Sequence, residues 1–147
     1  MKTLILILLC AFSAYSQCKA LPDEEKKAMF DAHLIEEGAK NWNKTQHRLI
    51  EYGRTKILPT VYTEPDAKQI DRWWKQVREN FSAKEAREIF EQPGTVSTPN
   101  SLNDCSCSTT WTFCSGDNEC IASSTCSKVI NCGPFYAFQC NGKCQAS

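Results

Sequence analysis

The chain has 147 residues, a formal net charge of zero and ten cysteines, eight of which lie between Cys105 and Cys144. From Ser101 to Ser147 there are three acidic and two basic side chains, a net charge of −1. That balance argues against a cationic peptide that collects on anionic lipid by charge alone. It also argues against nucleic-acid binding, which needs a basic footprint.

Residues 1–20 have the parts of a secretory signal peptide. Lys2 provides a positive start, Leu4 to Phe12 form an apolar run of nine residues, and Ala14 to Ser16 is a small-x-small cleavage site. A run of that length is too short to span a bilayer. We therefore expect cleavage by signal peptidase near residue 16 or 20, and a secreted, extracellular protein in which disulfides persist.

Residues 21–91 have the composition of a helical leader. They carry 14 acidic and 13 basic side chains, three of the four tryptophans and no cysteine. Apolar side chains recur at roughly helical steps, which predicts one helix from about Pro22 to Gly38 and another from about Asn41 to Gly53. Acidic residues 23–25 suit the first turn of the first helix.

Two further helices are predicted in the second half of the leader. Thr63-x-x-Asp66, with Pro65 in the first turn, is typical of a helix start, and apolar residues then follow at helical spacing. Trp73 and Trp74 place one ring on the buried face of this helix and one near its edge. Residues 82–85 form a capping box that opens a last short helix through Phe90. No catalytic arrangement stands out in the leader.

Residues 92–104 read QPGTVSTPNSLND and have no apolar period. Prolines, a glycine and a run of Ser, Thr and Asn are typical of an exposed linker, where a processing protease finds accessible backbone. We therefore predict a precursor that is cut here to release residues 105–147 as the mature peptide. The alternative is a permanent two-domain protein whose linker is never cut.

The C-terminal segment is predicted to be a small disulfide-rich module of short strands and turns. So short a segment cannot bury enough apolar surface to fold without covalent links or a metal. The spacing has no C-x-x-C pair and the segment has no histidine, so it favours four disulfides over zinc, and we expect no metal or other cofactor. The pairing is open, because eight cysteines allow about 105 connectivities, although Cys105 and Cys107 are expected to have different partners. The predicted disulfide cysteines are Cys105, Cys107, Cys114, Cys120, Cys126, Cys132, Cys140 and Cys144.

Five aromatic side chains in this module form the candidate target-binding patch. Trp111 alternates with Phe113 in STTWTF, and Tyr136 alternates with Phe138 in GPFYAFQ, which predicts two short strands with one aromatic face each. Asn141-Gly142 predicts a hairpin that brings Cys140 and Cys144 together. So small a module cannot hide all of its rings, and an exposed apolar patch usually marks a contact surface. The five residues are Trp111, Phe113, Phe135, Tyr136 and Phe138.

These residues carry a resemblance to a known family. Cys105 to Thr109 (CSCST), followed downstream by Cys132-Gly133, an aromatic turn with Tyr136, and Cys140 to Gly142 (CNG), resembles the bacteriocin fulvocin C and its related precursor proteins. The likeness covers about the last 43 residues. The leader, with Pro65, Trp73-Trp74 and its capping box, is more loosely similar to the precursor region of such proteins.

The resemblance implies a secreted bacterial peptide, released from a precursor, that inhibits competing bacteria. It implies a target in the bacterial cell envelope, or a receptor in it, and a processing protease besides signal peptidase. The family pattern has two cysteines just before the Asn-Gly, whereas here only Cys140 stands there and Cys144 follows. The near-neutral charge favours contact of the aromatic patch with the envelope over bulk electrostatic attack.

Two other function classes remain open on the residues alone. The module is also compatible with a binding domain for wall carbohydrate or a protein ligand, in which exposed aromatics stack on sugar rings. A knottin-like protease inhibitor needs an exposed specificity residue, for which Lys128, between Cys126 and Cys132, is the candidate. Enzymatic activity is not expected, because the module has no histidine and its few carboxylates show no pairing.

Overall fold

The computed structural model describes residues 22–91, 103–111, 114 and 118–146. The predicted signal peptide, most of the predicted linker, and Phe113 lie outside the described residues. Two regions are described: a helical unit, residues 22–91, and a cysteine-rich module, residues 103–146. A helical region followed by a disulfide-rich module of short strands is the predicted fold class, which is confirmed. Within these ranges no helix is both long and apolar enough to cross a membrane.

The helical unit contains four α-helices, two of which continue as short π-helical segments. They are α1 Asp23–Gly38, α2 Lys44–Tyr52 continuing as Gly53–Ile57, α3 Ala67–Asn80, and α4 Ala83–Ala86 continuing as Arg87–Glu91.

Side-chain caps set the starts of three of these helices. The predicted capping box is confirmed at α4, where the Ser82 hydroxyl accepts from the Glu85 N–H at 3.2 Å. The predicted start of α3 at Thr63 is wrong, because the cap is Asp66, whose carboxylate accepts from the Gln69 N–H at 3.1 Å. The Thr63 hydroxyl instead donates to the carbonyl of Thr60, so Thr63 belongs to the preceding turn.

The core of the helical unit is built around α3. Trp73 and Trp74 are both buried, so the expectation of one ring near the edge is wrong. The physical reason is that α3 packs against both α2 and α4. The Trp73 indole N–H donates to the Leu49 carbonyl at 3.0 Å, and both tryptophan rings lie against Phe90, at 5.1 and 5.9 Å between centroids.

The cysteine-rich module has two small antiparallel sheets. One pairs β1 Asn118–Ala122 with β4 Gly142–Ala146, and the other pairs β2 Val129–Cys132 with β3 Phe138–Cys140. Cys120 stands opposite Cys144 in the first sheet, and a register shift interrupts the second between Ile130 and Cys132.

The predicted hairpin at Asn141-Gly142 is wrong. The chain passes there from one sheet to the other, because β3 pairs with β2 while β4 pairs with β1. The backbone N–H groups of Asn141 and Gly142 both donate to the carbonyl of Cys107, at 2.9 and 3.1 Å. Because that carbonyl satisfies both donors, the crossing is held by the segment around Cys107 and not by a local turn.

The predicted aromatic strands are only partly present. Phe138 begins β3, but Pro134–Tyr136 form a single 3-10 turn. Trp111 lies in a turn. The alternation of aromatic residues that predicted a flat strand instead reflects a loop whose backbone enters the left-handed region at three positions.

Candidate functional site

The four disulfides pair all eight predicted cysteines. Cys105 and Cys107 have different partners, as expected, whereas Cys140 and Cys144 belong to different bonds. The bonds are Cys105–Cys126, Cys107–Cys120, Cys114–Cys144 and Cys132–Cys140.

Two of these disulfides pack side by side in the module. The sulfur atoms of Cys107, Cys114 and Cys144 lie within 4.8 Å of one another. Cysteine binds zinc as the thiolate, and a disulfide sulfur carries no thiolate. These two disulfides therefore form part of the buried interior of the module, in which Cys107 and Cys114 are buried.

We define the aromatic loop as residues 133–138. The Cys132–Cys140 disulfide, which spans eight residues, closes it at its base, where β2 and β3 pair. Gly133 has φ +71°, and a Cβ there would lie 2.9 Å from the Phe138 ring. The position therefore suits glycine alone.

Phe135 and Tyr136 also have positive φ, at 61° and 55°. Such a conformation costs a residue with a side chain about 1–2 kcal/mol. It persists where the surroundings determine it. Full burial of a large apolar side chain contributes about 1.5–3 kcal/mol, so the burial of both rings offsets the cost and sustains this loop shape.

Both rings are buried in the helical unit and not in their own module. The Phe135 ring lies 5.1 Å from Phe30 and 5.9 Å from Trp73, with the Trp73 ring nearly parallel. It also meets the edge of Phe90 at 6.3 Å, and Tyr136 meets Phe30 at 5.1 Å. With exposures of 0% and 1%, Phe135 and Tyr136 belong to the core of the helical unit.

Two polar side chains of the helical unit hold the backbone of the aromatic loop. The Tyr62 hydroxyl donates to the carbonyl of Phe135, and the buried Lys26 ammonium donates to the carbonyl of Tyr136 at 3.5 Å. Lys26 also pairs with the Asp23 carboxylate at 3.2 Å. Burial raises the pKa of the Tyr62 hydroxyl, and the negative charge of Asp23 raises it further, so the phenol remains protonated and keeps donating.

The edge of the contact between the aromatic loop and the helical unit is formed by Trp111 and Phe138, the other two described aromatics of the patch. Trp111 and Phe138 are half-buried, with ring centroids 4.2 Å apart. The Trp111 indole N–H donates to the Asp71 carboxylate at 2.8 Å. Beside it, the Arg78 guanidinium donates to the carbonyl of Thr110 at 3.2 Å. These two hydrogen bonds therefore lie beside the buried rings, at the edge formed by Trp111 and Phe138.

The structure thus brings together four of the five predicted patch residues, while Phe113 lies outside the described residues. Sequence reasoning missed the helical-unit residues that receive them. Lys26 carried a signal, because it stands one turn before Phe30 and two before Leu34 on the apolar face of α1. A lysine on the apolar face of a helix predicts that its ammonium group has a buried partner.

Lys128, the candidate specificity residue of an inhibitor, is exposed and follows Cys126 of the Cys105–Cys126 disulfide by two residues. The preceding Ser127 is fixed through its backbone, donating to the Asn103 carbonyl at 2.7 Å and accepting from the Cys105 N–H at 2.9 Å. The loop that carries Lys128 is therefore held in place while its side chain remains accessible.

The groups at the contact are aromatic rings, backbone carbonyls and the polar side chains of Lys26, Tyr62, Asp71 and Arg78, an assembly suited to binding. Comparison with protein-family models, with curated proteins and with solved structures finds no match to this chain. The geometry of the aromatic loop and its surroundings is therefore the basis of the functional assignment.

Proposed function

We propose that this chain is the secreted precursor of an antibacterial peptide, and that its cysteine-rich module inhibits competing bacteria after release. The observation that carries the proposal is the aromatic loop, which presents Phe135 and Tyr136 away from their own module. The module's own interior consists of disulfide sulfurs and the partly buried Val129. Among the module's described residues there is no comparable core into which these rings can fold back after release.

Such a loop suits contact with a cell envelope. Aromatic side chains with one polar end are favoured at membrane interfaces and at protein contact surfaces. The near-neutral charge of residues 101–147 leaves apolar contact as the main attraction to a bacterial surface. Four disulfides would keep the peptide folded in an oxidising extracellular environment. The proposed activity requires contact alone, without catalysis or a cofactor.

A killing assay with matched variants tests this function. The module would be separated from the helical unit under denaturing, non-reducing conditions and its four disulfides verified by intact mass. Phe135→Ser combined with Tyr136→Ser should lower inhibition of related bacteria at least tenfold. Ile130→Ser changes another apolar residue, 64% exposed on β2, and should leave inhibition unchanged. Equal inhibition by the two variants would reject the aromatic loop as the contact surface.

The exposed position of Lys128 favours a second candidate function, inhibition of a protease that cleaves after lysine. A protease inhibitor needs a rigid, accessible loop, and the backbone bonds of Ser127 together with the Cys105–Cys126 disulfide provide one. Trypsin inhibition that is lost in Lys128→Ala would support this candidate. Retention of the module on peptidoglycan without killing would instead favour a wall-binding domain.

A further inference from the structure

The contacts between the two regions come from the whole length of the helical unit. Lys26 and Phe30 lie on α1, Tyr62 follows α2, Trp73 lies on α3, and Phe90 lies at the end of the unit. None of these contacts involves residues 92–102. Cutting the chain within that segment therefore removes no contact described between the aromatic loop and the helical unit.

The contact also has the composition of a specific protein interface. Its centre is a group of fully buried aromatic rings, and its surroundings are hydrogen bonds such as the one from Trp111 to Asp71. Interfaces in which buried aromatic anchors are enclosed by polar contacts concentrate their binding free energy in the anchors. The Cys132–Cys140 disulfide closes the aromatic loop at its base, which limits the ordering that binding requires.

From these observations we propose that the helical unit is the binding partner of the cysteine-rich module and remains bound to it after the linker is cut. In this state the helical unit covers the aromatic loop and keeps the peptide inactive until the unit is removed. The masking part of this inference rests on the proposed function, whereas the pairing itself does not. Cleavage of the linker would then be necessary but not sufficient for activity.

The pairing is tested on the full chain after folding and disulfide formation. A protease recognition site is placed within residues 92–102, the protein is cut, and native size-exclusion chromatography at about 1 μM is followed by intact mass analysis of each peak. The expected result is a single peak that contains both fragments in equal amounts, because a contact with a dissociation constant of about 10 nM or below stays associated at that concentration. Separate elution of the two wild-type fragments would overturn the proposal.

Variants at the edge of the contact show whether the fragments associate through the described surface. Asp71→Ala removes the acceptor of the Trp111 indole N–H and Tyr62→Phe removes the donor to the Phe135 carbonyl, and neither opens the centre of the core. The double variant should dissociate at least tenfold faster after cutting. Ile35→Ser on the exposed side of α1 and Ile130→Ser on the module are matched controls, which should dissociate as the wild type does. Equal rates in all of them would overturn the assignment of this surface.

Killing measurements distinguish failure of this inference from failure of the proposed function. The cut, still associated protein should inhibit growth at least tenfold less than the same amount of module separated by denaturant with its disulfides intact. If the fragments co-elute but the separated module does not kill, the pairing stands and the antibacterial function falls. If the associated and separated forms kill equally, the masking is overturned although the function stands.

Discussion

The two regions of this molecule are stabilised in opposite ways. The helical unit has no cysteine and buries large apolar side chains from all four of its helices. The cysteine-rich module has four disulfides, and its interior is a cluster of cysteines packed with Val129. The two most deeply buried of its described rings, Phe135 and Tyr136, lie in the core of the other region.

The difference shows what covalent stabilisation makes possible. A region that folds by burial needs its apolar residues inside, whereas disulfides act mainly by restricting the unfolded chain. Since sulfur bridges hold the module together, its aromatic side chains are available for contact with something else. In this chain that contact is the helical unit.

Breaking the disulfide under the aromatic loop should test this comparison most strongly. Cys132→Ser with Cys140→Ser removes a bond that contributes about 2–4 kcal/mol. Because the loop then no longer holds Phe135 in place, unfolding of the helical unit, followed by far-ultraviolet circular dichroism in urea, should also occur at lower urea.

The matched control is Cys105→Ser with Cys126→Ser, which removes a disulfide whose described loop residues place only the half-buried Trp111 at the edge of the helical core. This variant should destabilise the module, but it should lower the urea midpoint of the helical unit by less than the loss of Cys132–Cys140 does. Equal shifts of the helical midpoint in the two variants would mean that the two regions are not coupled through the aromatic loop.

A substitution inside the helical unit should show its dependence on close packing. A Cβ at Gly53 would lie 2.7 Å from the Trp73 ring, so Gly53→Ala should destabilise the protein by about 1–3 kcal/mol. At Gly38 a Cβ meets nothing within 4 Å, and Gly38→Ala should be neutral or stabilising. Urea denaturation compares the two variants. A Gly53→Ala protein as stable as the wild type would show that the core beside Trp73 is loosely packed.

A smaller effect is expected at the cap of α4. Ser82→Ala removes the acceptor for the Glu85 N–H and should cost about 1 kcal/mol. Ser124 lies exposed in the module, and Ser124→Ala should change the unfolding free energy by less than about 0.5 kcal/mol. Thermal unfolding of both variants measures this contrast, and equal midpoints would contradict the assigned role of the cap.

The smallest effect is a pH dependence that arises in the helical unit. Burial lowers the pKa of His33 below its usual 6.5, although the nearby Glu37 carboxylate opposes this. The unfolded chain then binds more protons than the native one, so His33 stabilises the fold above pH 6.5, and this stabilisation is lost as the pH falls through the native pKa. His33→Gln should flatten the stability profile below pH 6.5, as followed by urea midpoints at several pH values. If the dependence of stability on pH below 6.5 were unchanged in His33→Gln, this role of His33 would be contradicted.

Much of the fold followed from local signals in the sequence. The capping box at Ser82 and the acid-rich start of α1 are short-range features whose physics does not depend on the rest of the chain. The disulfide-rich character of the module followed from cysteine density and size alone. The four pairings did not, because they depend on how β1 to β4 pair, and the pattern at Asn141-Gly142 indicated a hairpin that the sheets do not form.

The candidate site was predicted only as a set of residues. The aromatic patch was identified by composition, but the burial of Phe135 against Phe30 and Trp73 joins positions more than sixty residues apart. A repeat of apolar residues along one element does not indicate a contact between positions so far apart in the chain. The left-handed backbone at Phe135 and Tyr136 was also hidden, because these residue types rarely adopt it and the alternation of Tyr136 with Phe138 is typical of a strand.

The shared aromatic core limits how this sequence can change. A substitution that alters the volume at Phe135 alters the space between Phe30, Trp73 and Phe90 at the same time. Variation in the cysteine-rich module is thereby tied to variation in the helical unit that precedes it. A hybrid that joins this helical unit to a different cysteine-rich peptide should therefore fold well only when the residues surrounding the loop are exchanged along with it.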